Sequence, residues 1–305
     1  TTSTTVRDAT TNARNGTSYA VSPTPSAKIG SGAMHFSRNS NARININSTY
    51  GTMWDNDFSF SMWVNFDSFQ NGGRLIEFLY ERNIEMYTYT DGRVCFKMYT
   101  GSLYEACSSA LNTNQWYLLT AVRSKTSGMK IYVNGTQAGT NAFTGNGQSY
   151  SPGTYNSYIG NESGAPFANP IYSASARIDE VGIWNRALSV GDIATIYNSG
   201  TGIQIPANDT GLVALYHLDE DVKSIADTSG NSRNASVHSN ITNGSGNIGN
   251  GAVFDGIDSY LDVPAFPNIT GTPFSGSLWF YHDSPLPNDG LVMGQHANGQ
   301  TGWLI

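Results

Sequence analysis

Charged side chains are scarce in this chain. Asp, Glu, Lys and Arg make up 13% of its 305 residues, about half the share usual in globular domains. A helical bundle draws on Glu and Lys for its solvent faces and is not written this way. Basic residues are fewest of all, 16 Lys and Arg against 23 Asp and Glu for a net charge of −7. They form no stripe that would neutralise phosphates and no polybasic segment for an anionic membrane surface, so no nucleic-acid partner is expected. Long apolar runs are missing as well. The longest, Trp116 to Val122, is far short of the ~20 residues of a membrane span, so no membrane insertion is expected. The five histidines (35, 217, 238, 282 and 296) show no His-x-x-x-His spacing, which argues against a zinc site. The two cysteines lack the CxxC spacing of a redox motif, and no Gly-rich piece leads into Gly-Lys-Ser/Thr.

What the chain does have is 39% apolar and 12% aromatic residues, enough for a buried core, together with 33 Gly and abundant Asn, Ser and Thr. Gly and Asn reach the positive φ that tight turns require, so the mixture predicts a β-rich fold with many turns. Phe58, Phe60, Met62, Val64 and Phe66 alternate with Ser59, Ser61, Trp63 and Asn65, the period of a strand with one core face. Met129, Ile131 and Val133 lead into Asn134-Gly135, a hairpin signal. Trp116–Arg123 and Ser157–Gly160 read as further strands. A short helix is expected over Ser189 to Asn198, capped by Ser189, with Asp192 at its positive end and Gly200 as the stop. Many short strands at close spacing predict an all-β fold of two antiparallel sheets packed face to face.

The cysteines fit that scheme. A hairpin centred on Gly101 sets Tyr99 opposite Leu103, Lys97 opposite Glu105 and Cys95 opposite Cys107. The charge pair supports the register. Opposed Cβ atoms lie at the edge of disulfide reach, so Cys95 and Cys107 are expected to form a cross-strand disulfide, or to stay buried thiols in a reducing compartment.

Part of the sequence recurs. Asp8, Asn12, Arg14 and Asn15 return 219 residues later as Asp227, Asn231, Arg233 and Asn234, and Ile29-Gly30-Ser31-Gly32-Ala33 returns as Ile248-Gly249-Asn250-Gly251-Ala252. After small slips, Phe58, Ser59, Ser61 and Trp63 match Phe274, Ser275, Ser277 and Trp279. Such ordered recurrence marks two copies of one unit. The strand-like run Gly211–Leu218 precedes the second copy and has no counterpart ahead of Thr1. The expected organisation is a β-sandwich over 1–203 without its first strand, a linker over 204–210, and the N-terminal part of a second copy over 211–305. The chain then reads as an excerpt of a tandem array, so the absence of a signal peptide or an anchor says little about the parent protein. Gly211–Leu218 is expected either to add to the vacant edge of the first sandwich or to pair within 219–305.

Several segments together resemble a known family. They are Gly211–Asp219, Asp227–Ala235, Gly251–Gly256, Tyr260–Pro264 and the closing run Arg177-Ile178-Asp179-Glu180-Val181-Gly182-Ile183-Trp184-Asn185-Arg186-Ala187-Leu188-Ser189. These are similar to the laminin-G-like, concanavalin A-like jelly-roll domain of large extracellular proteins. The resemblance implies a β-sandwich, an extracellular or cell-surface (or virion-surface) setting, frequent carbohydrate or protein binding, and often calcium. It also implies that the opening turn and the closing Asp meet at the sandwich rim. The residues support a metal separately. If 177–184 alternates regularly, Asp179 shares a face with Val181 and Ile183, where a carboxylate is costly without a partner. Asp8 and Asn12 stand in a turn with oxygen donors suited to calcium. Asp8, Asn12 and Asp179 are therefore candidate calcium ligands. The alternative is that Asp8 and Asn12 make Asx-turn bonds and Asp179 accepts backbone amides.

Catalysis is not expected. Retaining glycosidases need two carboxylates about 5–5.5 Å apart. The family's glucanases place them by Glu-x-Asp-x-x-Glu on one strand, and no such motif occurs. Clusters such as Tyr80, Tyr87, Tyr89 and Tyr99, and a loop with Tyr150 and Tyr155, either stack on sugar rings or simply cover the sandwich faces. The expected role is a non-catalytic binding or adhesion module with a carbohydrate or extracellular protein ligand. The alternatives are a spacer in a phage tail or surface appendage, and an accessory module of a secreted glycoside hydrolase.

Overall fold

A computed structural model of the chain describes residues 5–24, 26–30, 32–38, 41–46, 50–78, 84–146, 157–161, 172–219, 224–225, 235–238, 241–254, 260–262, 277–281, 294–297 and 300–304. The chain opens with β1 (Thr5–Val6), β2 (Gly16–Tyr19), β3 (Ser22–Thr24), β4 (Ala33–Phe36) and β5 (Arg43–Asn45). Next come β6 (Phe58–Phe66), β7 (Gly73–Phe78), β8 (Ile84–Thr88), β9 (Val94–Tyr99) and β10 (Leu103–Cys107). They are followed by β11 (Trp116–Ser124), β12 (Gly128–Val133), β13 (Thr136–Asn141), β14 (Tyr158–Ile159), β15 (Ala176–Trp184), the helix α1 (Val190–Tyr197) and β16 (Leu212–Tyr216).

These strands form the two antiparallel sheets of a sandwich. Sheet I runs β1-β2-β5-β14-β7-β8-β9-β10, and sheet II runs β13-β12-β11-β6-β15-β4-β3 with β16 beside β15. Phe58, Phe60, Met62, Val64 and Phe66 all enter the core between the sheets, where they meet Ile76, Phe78, Met86 and Phe96. The other face of sheet II is buried too. Trp63, Leu118 and Trp184 pack there against Ile193 and Ile196 of α1 and against Ile205. The two serines of β6 are therefore enclosed and find partners inside: Ser61 Oγ lies 2.9 Å from Thr120 Oγ1, and Ser59 Oγ donates to the Arg186 carbonyl at 2.9 Å. Helix α1 carries the expected capping box between Ser189 and Asp192, and Asn198 closes it in the left-handed region.

Asn134 and Gly135 both have positive φ, 51° and 80°, as a two-residue hairpin turn requires. The β9–β10 hairpin has the expected register, with Lys97 opposite Glu105 and Cys95 opposite Cys107, and those cysteines form a disulfide.

One expectation fails on β15. Asp179 pairs with Trp63 and Gly182 with Ser61, so one extra residue is accommodated between them. Glu180 takes it up at φ 49°, as in a β-bulge. The bulge resets the alternation, so Ile178, Val181 and Ile183 face the inter-sheet core and Asp179 does not join them. It also changes the neighbour on the far edge of β15: residues 176–178 pair with β4, and 181–184 pair with β16.

The run Gly211–Leu218 thus supplies a strand to the sandwich formed by residues 5–184. Segment 204–210 is pinned to the same body, since Ile205 is buried and the Trp184 indole donates to Asp209 at 2.7 Å. Downstream lie β17 (Ser224–Ile225), β18 (Ala235–His238), β19 (Thr242–Ser245), β20 (Asn250–Val253) and β21 (Tyr260–Asp262), then β22 (Gly294–Ala297) and β23 (Gln300–Leu304).

Gly182 completes the bulge because a Cβ there would lie 2.3 Å from the Trp184 ring. Gly182→Ala is expected to destabilise the protein by about 1–3 kcal/mol through overpacking, read as a lowered midpoint in denaturant unfolding.

Candidate functional site

Two places gather chemistry that a sandwich does not need for packing alone. The first is the face of sheet I turned away from the core. Cross-strand pairing sets Glu77, Glu85, Lys97 and Glu105 in one row over β7–β10 and Arg74, Tyr87, Cys95 and Cys107 in the next. Ile76, Met86, Phe96 and Ala106 occupy the opposite, core-facing positions. Arg74 Nε lies 2.7 Å from Glu85 and 3.7 Å from Glu77, while Lys97 Nζ donates to Glu85 at 2.5 Å. The rings of Tyr172 and Tyr87 lie 4.7 and 5.6 Å from the Arg74 guanidinium, within cation–π range. The Tyr87 hydroxyl donates to Glu105 and lies 2.8 Å from the Tyr89 hydroxyl, which also reaches Glu105 at 3.3 Å. Burial, reinforced by the charge of Glu85, pushes the Glu105 carboxyl above its ordinary range.

Along this row burial falls from strand to strand. Arg74, Glu77 and Glu85 are enclosed, Tyr89 and Glu105 are half-buried, and Tyr99 and Leu103 are exposed. The exposed end is thus aromatic and apolar, backed by fixed acceptors and a lysine. Tyr87, Tyr89 and Tyr99 of the expected tyrosine cluster share this face, whereas Tyr80, Tyr150 and Tyr155 lie outside the described residues. Sequence reasoning found the Lys97–Glu105 pair from the hairpin register. It missed Arg74 and Glu77, because no local pattern relates β7 to β8 across the bulge between Arg74 and Ile76.

The second place surrounds Asp179. Its Oδ2 accepts the backbone N–H groups of Lys28 and Ile29, both at 2.8 Å. Its Oδ1 is buried with no hydrogen-bond partner. Burial raises its pKa to about 8, with the two amide bonds opposing and the charges of Glu180 and Asp219 adding to the rise. Asp219, just past β16, reaches the same loop and accepts the Gly32 N–H at 2.8 Å. Glu180 points elsewhere, to His217 Nδ1 at 2.6 Å.

Asp8 and Asn12, the other expected calcium ligands, sit at a different contact. Asp8 accepts four hydrogen bonds, from Thr10 N and Oγ1, Arg14 N and Leu215 N, at 2.8–3.0 Å. Asn12 donates to Thr10 Oγ1 and to the Val213 carbonyl. Both therefore fasten the opening turn to β16, while Asp179 faces the loop at Lys28–Ile29. An unpartnered buried carboxylate oxygen beside a second carboxylate fits a hard cation. Among the described residues no three His, Cys, Asp or Glu side chains gather to hold a metal, so a cation here would also need backbone oxygens.

The two antiparallel sheets define a jelly-roll sandwich. The family described as the concanavalin A-like lectin/glucanases superfamily, in its laminin G form, matches residues 36–194, and the chain belongs to it. No curated protein matches the sequence. Among solved structures, the binding domain of Paraclostridial Mosquitocidal Protein 1 is similar at 14% identity and a TM-score of 0.52, over 76% of this chain and 61% of that one. A putative carbohydrate binding protein from Bacteroides ovatus is 21% identical with a TM-score of 0.48, over 64% of this chain and 53% of that one. Domain 4 of AbnA, an extracellular arabinanase from Geobacillus stearothermophilus solved with arabinotriose, is 16% identical with a TM-score of 0.45, over 66% of this chain and 99% of that one. The chain thus spans less than two thirds of the first two of these structures.

Without a cation, Asp179 holds its proton in the folded state up to about pH 8, against 3.8 for the free side chain. The stability it contributes is full below the lower value and is lost as pH rises through the upper one. In chelator, Tm is expected to fall between about pH 4 and 8. Asp179→Asn should flatten that fall, and calcium should raise Tm more at pH 8.5 than at pH 6. Parallel pH profiles for wild type and Asp179→Asn would remove this role.

Proposed function

We propose that the chain is a non-catalytic carbohydrate-binding module of an extracellular or surface-exposed protein, taking its ligand on the open face of sheet I. The observation that carries this reading is the graded row over β8–β10. There Tyr99 is exposed beside Lys97, and Tyr89, with Arg93 over one face of its ring, sets its hydroxyl against Glu105. Sugars present alternating apolar C–H faces and hydroxyls, and an aromatic ring next to fixed acceptors and a cation answers both. The names of similar structures, a carbohydrate binding protein and an arabinanase domain solved with arabinotriose, agree with it.

The acids here do not favour hydrolysis. Glu77 and Glu85 are buried against Arg74 and Lys97, and Asp179 and Glu180 diverge to separate partners. A disulfide between Cys95 and Cys107 suits an oxidising, extracellular setting. Calcium is proposed as a structural cofactor, held by Asp179 with Asp219 and supplying positive charge to two carboxylates that otherwise repel. Asp8 and Asn12 then serve the fold by holding β16. A spacer role in a surface appendage is the second reading, favoured by the recurrence of strand pairings downstream.

A glycan array probed with the intact chain, with and without calcium, tests the proposal. Tyr99→Ala, at an exposed ring, is expected to weaken binding of any captured sugar by about 1 kcal/mol, roughly fivefold, without lowering Tm. A chain that binds no glycan under either condition overturns the carbohydrate reading and leaves the spacer.

A further inference from the structure

Strand β16 belongs to two frames at once. The first is set by recurrence, which extends from residues to hydrogen-bond register. Thr5 pairs with Thr17, and 219 residues later Ser224 pairs with Ser236. Pro23 pairs with Met34, and Thr242 with Val253. Thr17 pairs with Asn45, and Ser236 with Asp262. Strands β17–β21 therefore repeat the pairings of β1–β5, and β16 stands immediately ahead of that second set in the chain.

The second frame is physical, and it assigns β16 to the first sandwich. Its backbone pairs with Val181–Trp184 of β15. On the other edge, Ala9 N donates to the Leu215 carbonyl at 2.7 Å, Leu215 N donates to Asp8 at 2.9 Å, and Arg14 reaches the Val213 carbonyl at 2.6 Å. Ala214 and Tyr216 enter the inter-sheet core, and Leu212 and Leu215 enter the second core under α1. The Tyr216 hydroxyl donates to the Arg14 carbonyl at 2.6 Å. This seat is built for a strand that is apolar on both faces, which accounts for the nearly unbroken run Leu212-Val213-Ala214-Leu215-Tyr216.

We propose that the seat between β15 and the Asp8–Arg14 turn is a docking site for β16 as a separable strand, so that the β16 of a second copy of this chain can complete the sandwich by strand exchange. In the intact chain the resident strand fills the seat. When that strand is disabled, the seat opens to the same sequence arriving from outside.

The test uses the full chain carrying Ala214→Asp, which places a carboxylate where the side chain is fully buried. The probes are a labelled peptide spanning residues 209–219 and the same peptide with Ala214→Asp. The variant chain is expected to melt at least 10 °C lower, to bind the wild-type peptide one to one, and to regain most of its Tm. The intact chain should bind that peptide at least tenfold more weakly, and the altered peptide should bind neither chain. If the variant does not fold alone, refolding it with the wild-type peptide should restore native circular dichroism. Hydrogen exchange on the intact chain should protect the Leu215 amide as strongly as that of Ile183. An unchanged melt, a folded or refolding variant that takes no peptide, or an unprotected Leu215 amide overturns the proposal.

Discussion

The single extra residue in β15 governs most of what surrounds it. Before the bulge, β15 lies between β6 and β4; beyond it, the same edge lies between β6 and β16. One strand thereby joins three neighbours, and its apolar residues keep facing the inter-sheet core across the irregularity. Glu180, at positive φ, turns its carboxylate to His217. Asp179 is thrown onto the loop at Lys28–Ile29. Two adjacent acids are thus buried in different environments by a backbone event, without any need for them to act together.

Much of the architecture was legible in the sequence, because it rests on local periodicity and turn chemistry. The alternation of β6, the Asn134-Gly135 hairpin, the Ser189 capping box and the register that joins Cys95 to Cys107 are all set by residues near one another in the chain. What escaped was non-local. Nothing around Glu180 announces a left-handed residue, so regular alternation put Asp179 on the wrong face. Trp63 read as an outward residue, because the second core depends on α1 folding back from more than a hundred residues away. Asp8 has the same side chain whether it binds calcium or caps a strand end. Its bond from Thr10 N is of the expected Asx-turn kind, and only the bond from Leu215 N, far along the chain, was not legible.

The open face of sheet I shows a related division of labour. Its inner members, Arg74, Lys97, Glu77 and Glu85, carry two charges of each sign and pair with one another. Its outer members Tyr89 and Glu105 are tied to them through Tyr87, and the cross-strand disulfide joins β9 to β10. A surface made this way has little side-chain freedom left to lose, which is the usual cost of using long polar residues at an interface.

The position of β16 bears finally on mechanics. Any tension between the first sandwich and the strands downstream must pass through the peptide bonds at Leu218–Asp219 and so through β16. That strand is held along both edges and buried on both faces. The joint is therefore not a tether hung from the surface of the sandwich. To lengthen it, a pulling force must first draw a strand out of two cores, so the joint yields only when the sandwich gives up β16.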